Sequence, residues 1–74
     1  MSESTDAGVD RPAIRRAVRA VVAGEPVDKR EAISEVASRL EAPEAIVREE
    51  LNELERHGFI YLVGDGDDAE VRLP

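Results

Sequence analysis

Prolines at 26 and 43 and glycines at 24, 58, 64 and 66 cut this chain into three short amphipathic segments followed by two apolar runs. That punctuation constrains the fold more than any other feature, because helices seldom continue through the residue before a proline and commonly stop at a glycine. In the first segment Asp10 reads as an N-cap, with Pro12 tolerated in the first turn. Ile14, Ala17, Val18, Val21 and Val22 recur on one face up to Gly24, so the spacing predicts a helix over 11–23. After Glu25-Pro26, Val27 stands alone, placed for a one-residue bridge to a sheet. Asp28 and Glu31 resemble a capping box, and Ile33, Val36, Ala37 and Leu40 then repeat at helical spacing over 29–40. Glu41-Ala42-Pro43 makes a short connection. A third helix over 44–57 turns Val47, Leu51 and Leu54 inward and ends at Gly58. Phe59–Val63 and Ala69–Leu73 read as strands, and Asp65-Gly66 between them as a two-residue type I′ turn.

Size sets the next limit. With 74 residues there is room for one small domain, and Leu, Ile, Val and Phe together number 19, enough for a thin core. Residues 1–9 have no periodicity and are expected to form a disordered leader, which leaves 10–74 as the domain. The absence of cysteine excludes disulfides and thiolate metal sites. No apolar run approaches a membrane span and the polar, acidic N-terminus is unlike a signal peptide, so the expected location is the cytoplasm.

The net charge is −7, with nine arginines to one lysine, Lys29. This bias resembles cytosolic proteins of extreme halophiles, whose surfaces are acidic whatever they bind. The acids are uneven. Residues 42–58 hold five acids against two arginines, and the second loop holds Asp65, Asp67 and Asp68. The first helix holds four arginines, of which Arg11, Arg15 and Arg19 form a stripe with Arg16 close by. A solvated face is the expected role of that stripe, complementing acids of the leader and the second helix. Binding of DNA phosphates or an acidic partner helix is the sharper alternative.

The order helix, helix, tight turn, helix, strand, strand is similar to that of the winged helix-turn-helix family. The likeness spans residues 11 to 73 and is carried by EVASRLEAPEAIVREELNELERHGFIYLV, where Gly58 and Phe59-Ile60 lead into the wing. It implies an α+β fold of three helices followed by a two-stranded β-hairpin wing, with Val27 as a possible third strand. It also implies double-stranded DNA as partner, helix 44–57 as recognition helix, and a role in transcription regulation. Arg48 and Asn52, one turn apart, would read guanine and adenine edges. Ala45 would lie near a thymine methyl, Glu49 would accept from cytosine, and Lys29, Arg30 and the first-helix arginines would lie near backbone. Ordinary surface pairing of Arg48 with Glu44, or Asn52 with Glu55, competes with base reading.

The departures from the family define a second reading. A DNA-touching wing normally offers Arg or Lys, and carboxylates at 44, 49, 53 and the wing tip would be repelled by phosphates. An acidic protein-interaction module that uses the same shape without DNA is the alternative. Catalysis is not expected, since nothing marks a nucleophile or a phosphate-binding loop, and no cofactor is implied. Asp65, Asp67, Asp68 and Glu70 lack the spacing of a calcium loop and read as a polar turn. His57 reads as a partner of the helix C-terminal dipole. Tyr61 and Val63 are expected half-buried. The chain ends on the wing strand, so a monomer, or a weak homodimer through the first helix, is expected.

Overall fold

The computed structural model describes residues 10–74. The expected leader, 1–9, lies outside the described residues. Three helices, α1 (Arg11–Gly24), α2 (Lys29–Leu40) and α3 (Glu44–Arg56), pack with a small sheet of β1 (Val27–Asp28), β2 (Tyr61–Val63) and β3 (Glu70–Arg72). The sheet is antiparallel throughout, in the order β1-β3-β2. The fold is therefore α+β, three helices with a three-stranded antiparallel sheet.

Local chemistry explains the helix ends. Asp10 caps α1 by accepting the Ala13 N–H at 3.2 Å. At the end of α3 the Phe59 N–H bonds the Leu54 carbonyl at 2.9 Å and the Gly58 N–H bonds that of Glu55 at 3.1 Å. This is a Schellman ending, and it needs the left-handed backbone that Gly58 supplies at φ +82°. The end of α2 uses the same device with the wrong residue. Glu41 takes φ 53°, ψ 42°, and the Ala42 N–H reaches the Ala37 carbonyl at 3.0 Å. The reversal that lets α3 begin at Glu44 thus rests on a strained non-glycine.

The core lies where the three apolar faces meet the inner side of the sheet. Ile14, Val18, Ile33, Val36, Val47, Leu51, Ile60 and Val71 are its largest fully buried side chains. Val71 sits mid-sheet, in register with Val27 on one side and Leu62 on the other, and both flanking residues pack against the core.

Five expectations need correction. Asp28 makes no side-chain cap and so forms no capping box, because it is drawn into β1 opposite Glu70. The expected one-residue bridge at Val27 is accordingly two residues long. Leu40 is exposed rather than inward, since it is the last residue of α2 and the chain turns away there. The hairpin does not close with a type I′ turn, for Asp65 has φ −121° and only Gly66 of that pair is positive. Ala69 is instead buried, and a 3-10 turn over Gly66–Asp68 closes the loop above it. Gly64 is needed here: at φ +109° a Cβ would stand 3.3 Å from the Ala69 Cα. Finally, Tyr61 and Val63 are exposed, not half-buried, because they lie on the outer side of the sheet beside Arg72 and Glu70, alternating with the core-facing Leu62 and Val71.

Candidate nucleic-acid interface

An ion cluster around the buried Glu50 joins α3 to α1. Glu50 falls among the apolar positions of α3 and is only 3 % exposed. Its Oε2 accepts from Arg11 Nη1 at 2.7 Å and its Oε1 from Arg15 Nε at 2.9 Å. Burial alone would push the carboxyl up, but the two arginine hydrogen bonds and their charges outweigh it and hold Glu50 below the usual carboxylate range. Arg11 and Arg15 of the α1 stripe therefore complement acids of α3, where acids of α2 were expected; the expected complement with the leader lies outside the described residues. Arg15 and Arg11 rise one turn apart on α1, so both reach the same carboxylate. Glu50 escapes a hydrophobicity count. Its signal is a carboxylate three residues after Val47 and four before Leu54, opposite an i, i+4 arginine pair.

This packing leaves the far side of α3 open. Ala45, Glu49 and Asn52 are exposed there, with Arg48 on the flank toward the β2–β3 hairpin. Glu49 lies on the other flank, where Arg11 Nη2 approaches it at 3.4 Å. Arg48 is thus on the hairpin side of the open face, whereas Glu49 and Asn52 border a shallow depression shared with Arg11 and Arg15 of α1.

The hairpin tip gathers the remaining candidates. Arg48 Nη1 donates to Asp67 Oδ1 at 2.8 Å, so the pairing expected with Glu44 gives way to a contact across the fold. Arg30 Nη1 stands 3.6 Å from Asp68 Oδ1. The hydrogen bond from Arg48 lowers the Asp67 carboxyl below its ordinary range, and the charges of Arg30 and Lys29 add to the effect. In return the bond to Asp67 raises Arg48. Lys29 is brought here by its backbone, since its N–H bonds the Ala69 carbonyl at 2.7 Å and pins the start of α2 to the hairpin. Three of the six candidates, Lys29, Arg30 and Arg48, therefore converge from two helices on one loop. Two acids of that loop, expected as part of a polar turn and as a source of repulsion toward phosphate, are the partners of Arg48 and Arg30. Nothing local in the sequence pairs 48 with 67; the contact needs the hairpin to fold back across α2 and α3.

Other polar groups have structural roles. Arg72 Nη2 donates to Glu70 at 2.7 Å on the outer side of the sheet, and the bond raises the Arg72 guanidinium. His57 follows the last turn of α3, its N–H bonding the Glu53 carbonyl and its Nε2 lying 3.3 Å from Glu53 Oε1. No group of three or more His, Asp or Glu among the described residues is arranged to hold a metal ion. Nor is any helix among them long and apolar enough to cross a membrane. No protein-family model, curated protein or solved structure matches this chain.

Proposed function

We propose that this protein is a winged helix-turn-helix DNA-binding protein, with α3 as its recognition helix and the β2–β3 hairpin as its wing. The observation that carries the reading is the convergence of Lys29, Arg30 and Arg48 beside the open face of α3. A chain of net charge −7 has few cations to spend, yet three gather at the hairpin tip next to α3, where phosphate contacts would form if α3 lay in a major groove. Arg48 and Asn52 suit guanine and adenine edges, and Ala45 a thymine methyl. Glu49, turned toward α1, has a lesser part. The reading makes the protein a cytoplasmic binding protein rather than an enzyme, a regulator of transcription that acts as a monomer or a weak homodimer.

One observation favours a second reading. Tyr61 and Val63 expose apolar side chains on the edge strand β2, as an interaction module that ignores DNA would. An amide-resolved NMR titration with mixed-sequence duplex DNA separates the two. Shifts over 44–53 and the 64–70 loop are the expected result for a DNA reader, and Arg48→Ala should then weaken binding roughly tenfold and relax base preference. Shifts confined to α1, or none at 50 mM or at molar KCl, would sink the DNA reading and leave the interaction module.

A further inference from the structure

Two of the three cations gathered at the hairpin tip, Arg48 and Arg30, are engaged by carboxylates of the hairpin itself. Asp67 holds Arg48 at 2.8 Å, and Asp68 lies 3.6 Å from Arg30. Each pair joins a helix to the loop, and each is solvent-accessible enough to open without unfolding anything. A carboxylate on a guanidinium fills the position a phosphate oxygen would take.

We infer that Asp67 and Asp68 are built-in counterions of the α3 face, which hold Arg48 and Arg30 in place of DNA phosphates and flatten the salt dependence of binding. This rests on the DNA-binding reading above and specifies how that same site is regulated. An unpaired arginine that neutralises a phosphate releases about 0.9 of a condensed cation, which is why DNA binding weakens steeply with salt. Arg48 starts from Asp67, so its contact is an exchange. The phosphate releases a cation while the freed carboxylate takes one up. The net release from that contact falls toward zero, and so does its contribution to the salt slope. Affinity is lower in dilute buffer and is retained in concentrated salt, where an ordinary basic wing would have let go. The acid-rich composition fits a protein that works in such salt.

The test is fluorescence anisotropy of the full chain with a mixed-sequence duplex, from 50 mM to 1 M KCl. Asp67→Asn/Asp68→Asn is compared with wild type and with Glu25→Gln/Glu41→Gln, which changes net charge equally at exposed positions outside α3 and the hairpin. The first variant should bind more tightly at 50 mM and show a slope of log affinity against log salt steeper by about 1 to 2. The charge-matched control should run parallel to wild type. Parallel slopes for all three proteins overturn the inference. So does weaker binding by the Asp67/Asp68 variant, which would make the acids supports that orient Arg48. If wild type binds and Arg48→Ala weakens it while the slopes stay equal, the inference falls and the DNA reading stands. If no variant binds duplex at any salt, both fall together.

Discussion

Two ion clusters tie α3 to the rest of this protein, and they differ in one respect, burial. On the α1 side, Glu50 is closed off from solvent and both its oxygens are engaged by Arg11 and Arg15. On the hairpin side, Arg48 and Asp67 are about two-fifths exposed and Arg30 and Asp68 more so. A buried carboxylate that loses its partners has no water to turn to, so the first cluster fixes geometry. An exposed pair trades one partner for another at little cost, so the second suits a surface that exchanges ligands. On the proposed DNA-binding reading, the clamped flank of α3 positions the helix and the other flank is the one offered.

The clamp is where the comparison breaks most visibly. Glu50→Gln should destabilise the fold by about 2 kcal/mol, below the usual loss for a broken buried pair because Arg11 and Arg15 can turn to solvent. For a 74-residue domain that is a large share of total stability, and urea denaturation reads it as a lower midpoint. Glu50→Met should recover most of the loss, since an apolar side chain of similar volume needs no partner. An unchanged midpoint for Glu50→Gln would mean that the clamp contributes nothing. The pH dependence has a definite sign. The folded carboxyl titrates below the ordinary glutamate value of about 4.3, so its contribution is complete above that value. It is lost as pH falls through the lower folded value. Wild type and Glu50→Gln should therefore converge in stability on acidification, and a gap that does not narrow as pH falls below the ordinary glutamate range would refute the assignment.

The turn between α2 and α3 gives a smaller effect of opposite sign. Glu41→Gly removes the left-handed strain at φ 53° while loosening the unfolded chain, for a net gain of about 0.5–1 kcal/mol. A lower urea midpoint would show that the Glu41 side chain matters more than its backbone. The smallest effect belongs to the exposed cluster. Asp67→Asn should leave the urea midpoint within error of wild type, in contrast with Glu50→Gln. A loss matching that of Glu50→Gln would make the hairpin pair structural and end the distinction.

Much of the architecture is legible residue by residue. The three helices, the Asp10 cap and the Gly58 stop follow from punctuation and periodicity, since each depends on contacts within a turn or two of chain. The strand at Val27 is different, because it exists only by pairing with Val71 at the far end of the domain. The hairpin loop is less legible. Asp65-Gly66 carries the chemistry of a tight turn, but burial of Ala69 imposes a longer loop on it. The site was half legible. Lys29, Arg30 and Arg48 stand out as cations in an acidic chain, but that they meet at one loop is a property of the fold.

What nearest neighbours along the chain dictate, then, is the sequence of elements and the identity of the apolar faces, because backbone sterics and helical spacing act over a few residues. The charge partners were decided only when the chain closed. Glu50 finds Arg11 and Arg15 across 39 and 35 residues, and Arg48 finds Asp67 across 19. A charge at a known position can pair with any opposite charge that packing brings within about 4 Å, so its role is set by topology and not by its own neighbours.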